Sequence, residues 1–193
     1  MVASFELDVE NWHATAIARQ QSGVLFLGPS GSGKSDLALR CLALPTGPLL
    51  ARRFALVSDD RTILRTAGDQ IRLSPPQEFA GLIEVRGLGI VKLECSTAAV
   101  LRLVVRLTQA PVVRMPGPGE LDENILGRPI RGLHLNPFDA SAPIKVAIAL
   151  NEAEMRPGGS YDEACDKVRG KVYVESDAQA GESTGETTGK RHD

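Results

Sequence analysis

The stretch Gly28-Pro29-Ser30-Gly31-Ser32-Gly33-Lys34-Ser35 constrains this chain more than any other. It follows the short apolar run Gly23-Val24-Leu25-Phe26-Leu27, and it precedes Asp36 to Leu44, whose composition predicts a helix stopping before Pro45. Strand, glycine-rich loop and helix in that order complete a G-x-x-x-x-G-K-S phosphate-binding motif. Its small residues let backbone N–H groups face a phosphate, Lys34 adds a cation, and the Ser35 hydroxyl is suited to a magnesium ion. The helix that follows points its positive end at the anion. Gly28, Pro29, Ser30, Gly31, Ser32, Gly33, Lys34 and Ser35 are therefore the expected cradle for a nucleoside triphosphate or another phosphate compound. The motif does not identify what receives the phosphate.

A second apolar run, Phe54-Ala55-Leu56-Val57, ends at Ser58-Asp59-Asp60. With a helix between the two runs, a parallel βαβ unit is the simplest connection, and it sets both carboxylates at a strand's C-terminal end. Paired acids in a loop commonly form turns or caps. Beside a phosphate loop, one of them can instead reach a metal shell or a substrate hydroxyl. Pro75-Pro76 breaks the chain, Leu82 to Val85 predicts a strand, and Gly87-Leu88-Gly89 bends it. In an extended chain Glu84 and Arg86 share one face.

Farther on, Leu101, Leu103, Val105 and Leu107 alternate with Arg102, Val104 and Arg106, the period of a half-buried strand. Pro111 to Arg131 predicts a long surface loop, and Ile144 to Leu150 a last strand. Ser160-Tyr161-Asp162-Glu163 has the spacing of a capping box opening a C-terminal helix. From Ser176 the chain has almost no apolar residues, so residues 1–175 are expected to form one domain and 176–193 a disordered tail.

The totals narrow the possible roles. At 193 residues the chain can bury a core unaided, and with 4% aromatic residues that core is aliphatic. A net charge of −2 gives no basic field to gather nucleic acid. Cys41, Cys95 and Cys165 lie far apart and form no C-x-x-C pair, so they read as reduced thiols. The acidic start MVASFELDVE does not resemble a signal peptide, and no apolar stretch has the length of a bilayer span. A cytoplasmic setting without nucleic-acid or membrane partners is expected.

Glu84-Val85-Arg86-Gly87-Leu88-Gly89 resembles the HPr kinase/phosphorylase signature E-[IV]-R-G-L-G. Three further matches make the resemblance specific. His13 precedes Lys34 by 21 residues, as the family's histidine does. The family's glycine loop G-x-S-G-x-G-K-S stands at Gly28 to Ser35, and its Asp-Asp pair at Asp59-Asp60. The likeness runs from about Asn11 to Val168 and is similar to the short alphaproteobacterial form, without the separate amino-terminal domain of many relatives.

The resemblance implies an α/β fold with a P-loop nucleotide-binding core, a mixed sheet flanked by helices in the phosphoenolpyruvate-carboxykinase-like variant. It also implies ATP- and Mg2+-dependent phosphorylation of a serine on the phosphocarrier protein HPr, regulating the phosphotransferase system, with pyrophosphate as an alternative donor. By the same resemblance Lys34 binds phosphates, Ser35 and Glu84 hold Mg2+, and Asp59 or Asp60, with Asp59 the first choice, accepts the serine proton. His13 and Arg86 complete that site, and Arg114 matches a later catalytic arginine by its position in a loop. Relatives assemble as hexamers, so a homo-oligomer is implied. His134 and His192 have no such support, and Trp12 reads as a packing residue.

One departure stands out. Many relatives carry P-x-[RK]-P-G-R-N, linked to removal of the phosphate, whereas Pro137-Phe138-Asp139-Ala140-Ser141-Ala142-Pro143 offers no arginine here. Missing cations weaken attraction for inorganic phosphate or phosphoserine, which favours the kinase direction over the phosphorylase. A small-metabolite kinase and a nucleotide-dependent switch share the same loop logic; a GTPase is disfavoured because no N-K-x-D segment is present.

Overall fold

A computed structural model describes residues 8–117 and 119–155. The chain enters through β1 (Val9–Trp12), β2 (Thr15–Arg19) and β3 (Ser22–Leu27), then α1 (Lys34–Leu42). β4 (Ala55–Ser58), β5 (Thr62–Ala67) and β6 (Gln70–Ser74) follow, then the hairpin of β7 (Leu82–Val85) and β8 (Gly89–Lys92). β9 (Ala99–Leu107), β10 (Glu123–Ile125), β11 (Arg128–Ile130), β12 (Gly132–Leu135) and α2 (Ala142–Met155) complete the described elements.

The main sheet runs β1-β5-β6-β9-β3-β2-β4, with β12 also on β9. β9 is its hub. Ala99 and Val100 pair antiparallel with β6, Val104 to Leu107 pair parallel with β12, and β3 runs parallel along its other edge. The sheet is thus mixed. β3 and β4 point the same way, as a βαβ unit requires, but they are not neighbours, because β2 lies antiparallel between them. The cause is the two-residue turn Gln20-Gln21: it folds β2 back onto β3 and occupies that edge before α1 crosses over.

Apolar residues fill both faces. On one, Val24, Phe26, Leu103 and Val105 pack against Leu37 and Cys41 of α1 and Val146 and Leu150 of α2. On the other, Leu25, Leu64, Leu73 and Leu101 meet Ile125 from the β10–β11 hairpin. Leu101 and Leu103 lie on opposite faces although their spacing predicts one. A bulge explains it: Gly23 faces Leu101 and Val24 faces Leu103, so Arg102 is an extra residue that flips the alternation. β9 is consequently buried on both faces, Val104 included, rather than half-buried.

Ile144 to Leu150 is helical, contrary to the expected strand. Ala142, Pro143, Val146, Ala147, Leu150 and Ala153 are the buried positions, a helical spacing that docks on the sheet and outweighs the β-branched composition. Buried Arg19, at the end of β2, fastens α2 by bonding Asn151 and Glu154. The stretch 111–131 is not all loop, since the β10–β11 hairpin lies within it. Glu123 of that hairpin takes a two-pronged bond from Arg106, which holds its carboxyl below the usual range.

Burial pushes the Cys41 thiol up to about 12, so it is a core group rather than a nucleophile. Cys95 is half-buried and also a free thiol. No described helix is long and apolar enough to cross a membrane. The expected helix from Ser160, the tail 176–193, Cys165 and His192 lie outside the described residues.

Candidate active site

β3 ends at Leu27 and hands the chain to the glycine loop, whose last residue caps α1. Gly33 adopts φ 92, and a Cβ there would meet the Phe138 ring at 3.3 Å. Only glycine suits both demands. At Gly28 a Cβ would lie 2.6 Å from Ser32 Oγ, so any other residue there would force that hydroxyl to move. That Ser32 hydroxyl is buried without a partner, an orphaned polar atom in keeping with a loop that closes on an anion. Lys34 is buried, and its Nζ reaches the carbonyls of Gly28 and Pro29 at 3.1 Å and His13 Nε2 at 3.3 Å. Desolvation lowers its pKa, opposed by the charges of Asp60 and Asp59.

The two adjacent acids have different surroundings. Asp59 is buried; its Oδ1 accepts from Thr15 Oγ1 at 2.8 Å and Ser35 Oγ at 2.7 Å, and its Oδ2 from the Glu84 backbone N–H at 3.1 Å. It joins β2, the phosphate loop and the β7–β8 hairpin. Asp60 is exposed, with a left-handed φ of 58. Non-glycine residues held there cluster at functional sites.

A cavity of ≈ 360 Å³ opens above the loop, lined by Ser30, Gly31, Gly33, Lys34, Ser35 and Asp36, then Leu39, Asp60, Glu84, Val85, Arg86 and Phe138. A second cavity of ≈ 280 Å³ is lined by Asp59, Asp60, Arg61, Phe79, Leu82, Ile83, Glu84 and Ile90. Asp60 and Glu84 belong to both. The hairpin turn Arg86-Gly87-Leu88 carries Arg86 to the first cavity's rim, with Gly87 at φ 87.

Of the residues singled out by sequence, Ser30, Gly31, Gly33, Lys34, Ser35, Asp60, Glu84 and Arg86 share the first cavity. Gly28, Pro29 and His13 join it through Lys34, Ser32 lies within the loop, and Asp59 sits behind Ser35. Arg114 is not gathered in: it lies on the exposed stretch after β9 and lines neither cavity. A loop position without a motif carried no information about where its chain would pack. Thr15, Leu39, Phe79 and Phe138 were missed. Only Phe138 had a signal, an aromatic residue where relatives carry cations.

The donor set also fits a magnesium ion. The Ser35 hydroxyl, the Asp59 carboxylate beside it and the Glu84 carboxylate on the cavity wall are hard oxygen donors, and such ions take one or two protein oxygens plus phosphate oxygens.

A mixed sheet, a glycine loop capping α1 and acids at the end of β4 define a P-loop α/β domain. Residues 7–109 match the model of the HPr Serine kinase C-terminal domain, and the chain belongs to that family. The HPr kinase/phosphorylase of Bordetella pertussis (strain Tohama I) is 38% identical over 125 residues, 58% of this chain and 38% of that protein. The enzyme of the same name from Cupriavidus necator is 32% identical over 141 residues, 68% of this chain and 40% of that protein. The chain thus spans about two fifths of the length of these relatives. The solved Hpr(Ser) kinase/phosphatase of Coxiella burnetii shares the fold, with a TM-score of 0.62 at 21% identity, covering 90% of this chain and 99% of that one.

Proposed function

We propose that this chain is an ATP- and Mg2+-dependent kinase that phosphorylates a serine of HPr and thereby regulates the phosphotransferase system. One observation carries the reading: Lys34, Ser35, Asp60 and Glu84 line one cleft, and Asp60 also lines the adjoining cavity. A donor's phosphates fit on the loop side and an acceptor hydroxyl on the other, with a carboxylate between them.

In the proposed reaction the loop amides and Lys34 hold the polyphosphate, and His13 stands against Lys34 Nζ. The serine oxygen bonds to the γ-phosphorus as the bond to the β-phosphate oxygen breaks, leaving ADP; Asp60 takes the serine proton. Asp60 replaces Asp59, the first choice from sequence, because both Asp59 oxygens are already engaged by Thr15, Ser35 and Glu84. Asp59 positions Ser35 and the hairpin instead. Ser35 and Glu84 would hold Mg2+, which would supply charge neutralisation. Arg86 serves the transferring group from the rim, and Arg114 has no part in the proposal. The arginine-free segment at Pro137 to Pro143 supports the kinase direction over phosphorolysis. By the same family resemblance the working form is a cytoplasmic homo-oligomer, which sedimentation velocity checks.

The test is incubation of the purified protein with Mg2+, γ-labelled ATP and HPr. Label is expected on an HPr serine and is expected to vanish with Lys34→Ala. Nucleotide binding without labelled HPr would overturn the acceptor, and no nucleotide binding would overturn the whole reading.

A further inference from the structure

Phe138 is 57% exposed in a chain whose aromatic content is only 4%, and it stands at the mouth of the phosphate cavity. Its ring packs against Gly33, 3.3–3.4 Å from the place a Cβ would take. The backbone around it is tied down from three sides. Asn136 Oδ1 accepts the Phe138 N–H at 3.0 Å; Arg40 of α1 donates to the carbonyls of Pro137 and Asp139; and Lys145 of α2 reaches the Asp139 carboxylate at 3.2 Å. An exposed ring fastened this way costs apolar hydration and gains no core contact, which is the economy of a preformed ligand wall rather than of packing.

The chemistry of that wall is unsuited to phosphate. It consists of Phe138, the half-buried Leu39 and Asp36, whose carboxylate is paired with Arg40. The wall begins at the α1 end of the glycine loop, where the Phe138 ring lies against Gly33, and it suits a flat, uncharged ring carried by a phosphate compound. The acceptor's cavity lies on the other side of Asp60 and does not include Phe138.

We propose that Phe138, with Leu39, is the platform on which the donor's nucleobase stacks, so that the donor is a nucleotide rather than inorganic pyrophosphate. The proposal rests on the kinase reading for the phosphate end of the site and adds the other end.

Calorimetric binding of Mg-ATP and of inorganic tripolyphosphate with magnesium, to the full chain and to Phe138→Ala, Phe138→Trp and Lys34→Ala, tests it. Phe138→Ala should weaken ATP on the order of ten-fold, the scale of losing one base-stacking side chain. It should leave tripolyphosphate unchanged, and Phe138→Trp should restore ATP. Equal losses for both ligands, no loss for either, or wild-type protein binding tripolyphosphate as tightly as ATP would each overturn the platform. A raised KM for HPr with ATP binding intact would assign Phe138 to the protein substrate and overturn it too. Lys34→Ala should weaken both ligands; if it weakens neither, the phosphate-loop reading itself falls, which is a separate failure.

Discussion

The two cavities that meet at Asp60 are made of different materials. The one above the phosphate loop has a floor of backbone and short polar side chains around a buried lysine, whereas its neighbour has walls of Phe79, Leu82, Ile83 and Ile90. Backbone N–H groups and Lys34 attract an anion on the loop side, whereas aliphatic walls dominate the second cavity and its one lining cation, Arg61, stands among Asp59, Asp60 and Glu84. In the proposed reaction the anionic donor and the uncharged hydroxyl acceptor would thus be sorted to opposite sides of the same carboxylate, and the two sites would not compete.

The largest way to break this comparison is at Lys34. Lys34→Ala is expected to lower transfer to HPr on the order of a thousand-fold, the upper range for removing one preorganised charge donor. Burial disfavours the lysine's charged form, so the variant's Tm should not fall. A lowered Tm would mean that Lys34 secures the loop through Gly28 and Pro29 rather than serving a ligand.

Next comes the shared wall. Asp60→Asn should reduce kcat roughly a hundred- to ten-thousand-fold, the usual contribution of a general base. Its Tm should hold, because asparagine tolerates the left-handed φ of 58. Asp59→Asn should instead be read in stability: with one oxygen kept on the Glu84 N–H, its amide would donate to the Thr15 and Ser35 hydroxyls, which would have to turn and accept, and the hydrogen bonds to a charged carboxylate would be lost. Losing hydrogen bonds to a charged group costs about 1.5–3 kcal/mol, measurable by denaturant titration. Full transfer by Asp60→Asn, with transfer lost in a fully stable Asp59→Asn, would return the base to Asp59.

That contrast marks the limit of what the sequence reveals. The phosphate loop and the Glu84 to Gly89 turn were legible because each is a continuous run whose chemistry is local. The different surroundings of Asp59 and Asp60 were not, because they depend on Thr15, which reaches Asp59 only after β2 inserts between β3 and β4. The helix at Ala142–Met155 was misread for a related reason: the six apolar residues around Lys145 in Ile144 to Leu150 fit either period until the sheet decides which face is covered. Likewise, the position of Leu101 depends on a bulge that only pairing with β3 creates. Local chemistry could be read directly, but long-range pairing could not.

On the acceptor side the expected effects are smaller. Ile90 is 73% exposed, so Ile90→Asp should fold normally. It should raise the KM for HPr about ten-fold, the scale of losing one buried apolar contact, while Mg-ATP affinity stays unchanged. A change in ATP affinity instead would merge the two cavities into one site and remove the basis of the comparison.

The smallest effect is expected at Arg61, whose guanidinium sits 5.7 Å from the centroid of the Phe79 ring. An exposed cation–π contact contributes about 0.5–1 kcal/mol, so Arg61→Ala should raise the HPr KM only about two- to five-fold. If Arg61 acts by steadying Phe79, then Phe79→Ala removes the same contribution, and the double variant should fall short of the product of the two single effects. Independent effects would instead make Arg61 a contact to HPr in its own right. The rise from Arg61→Ala would then shrink with added salt, because an exposed charge is screened over about 10 Å at 0.1 M whereas an apolar contact is not. The salt series therefore shows whether the apolar cavity recognises its partner by shape alone or by shape and charge together.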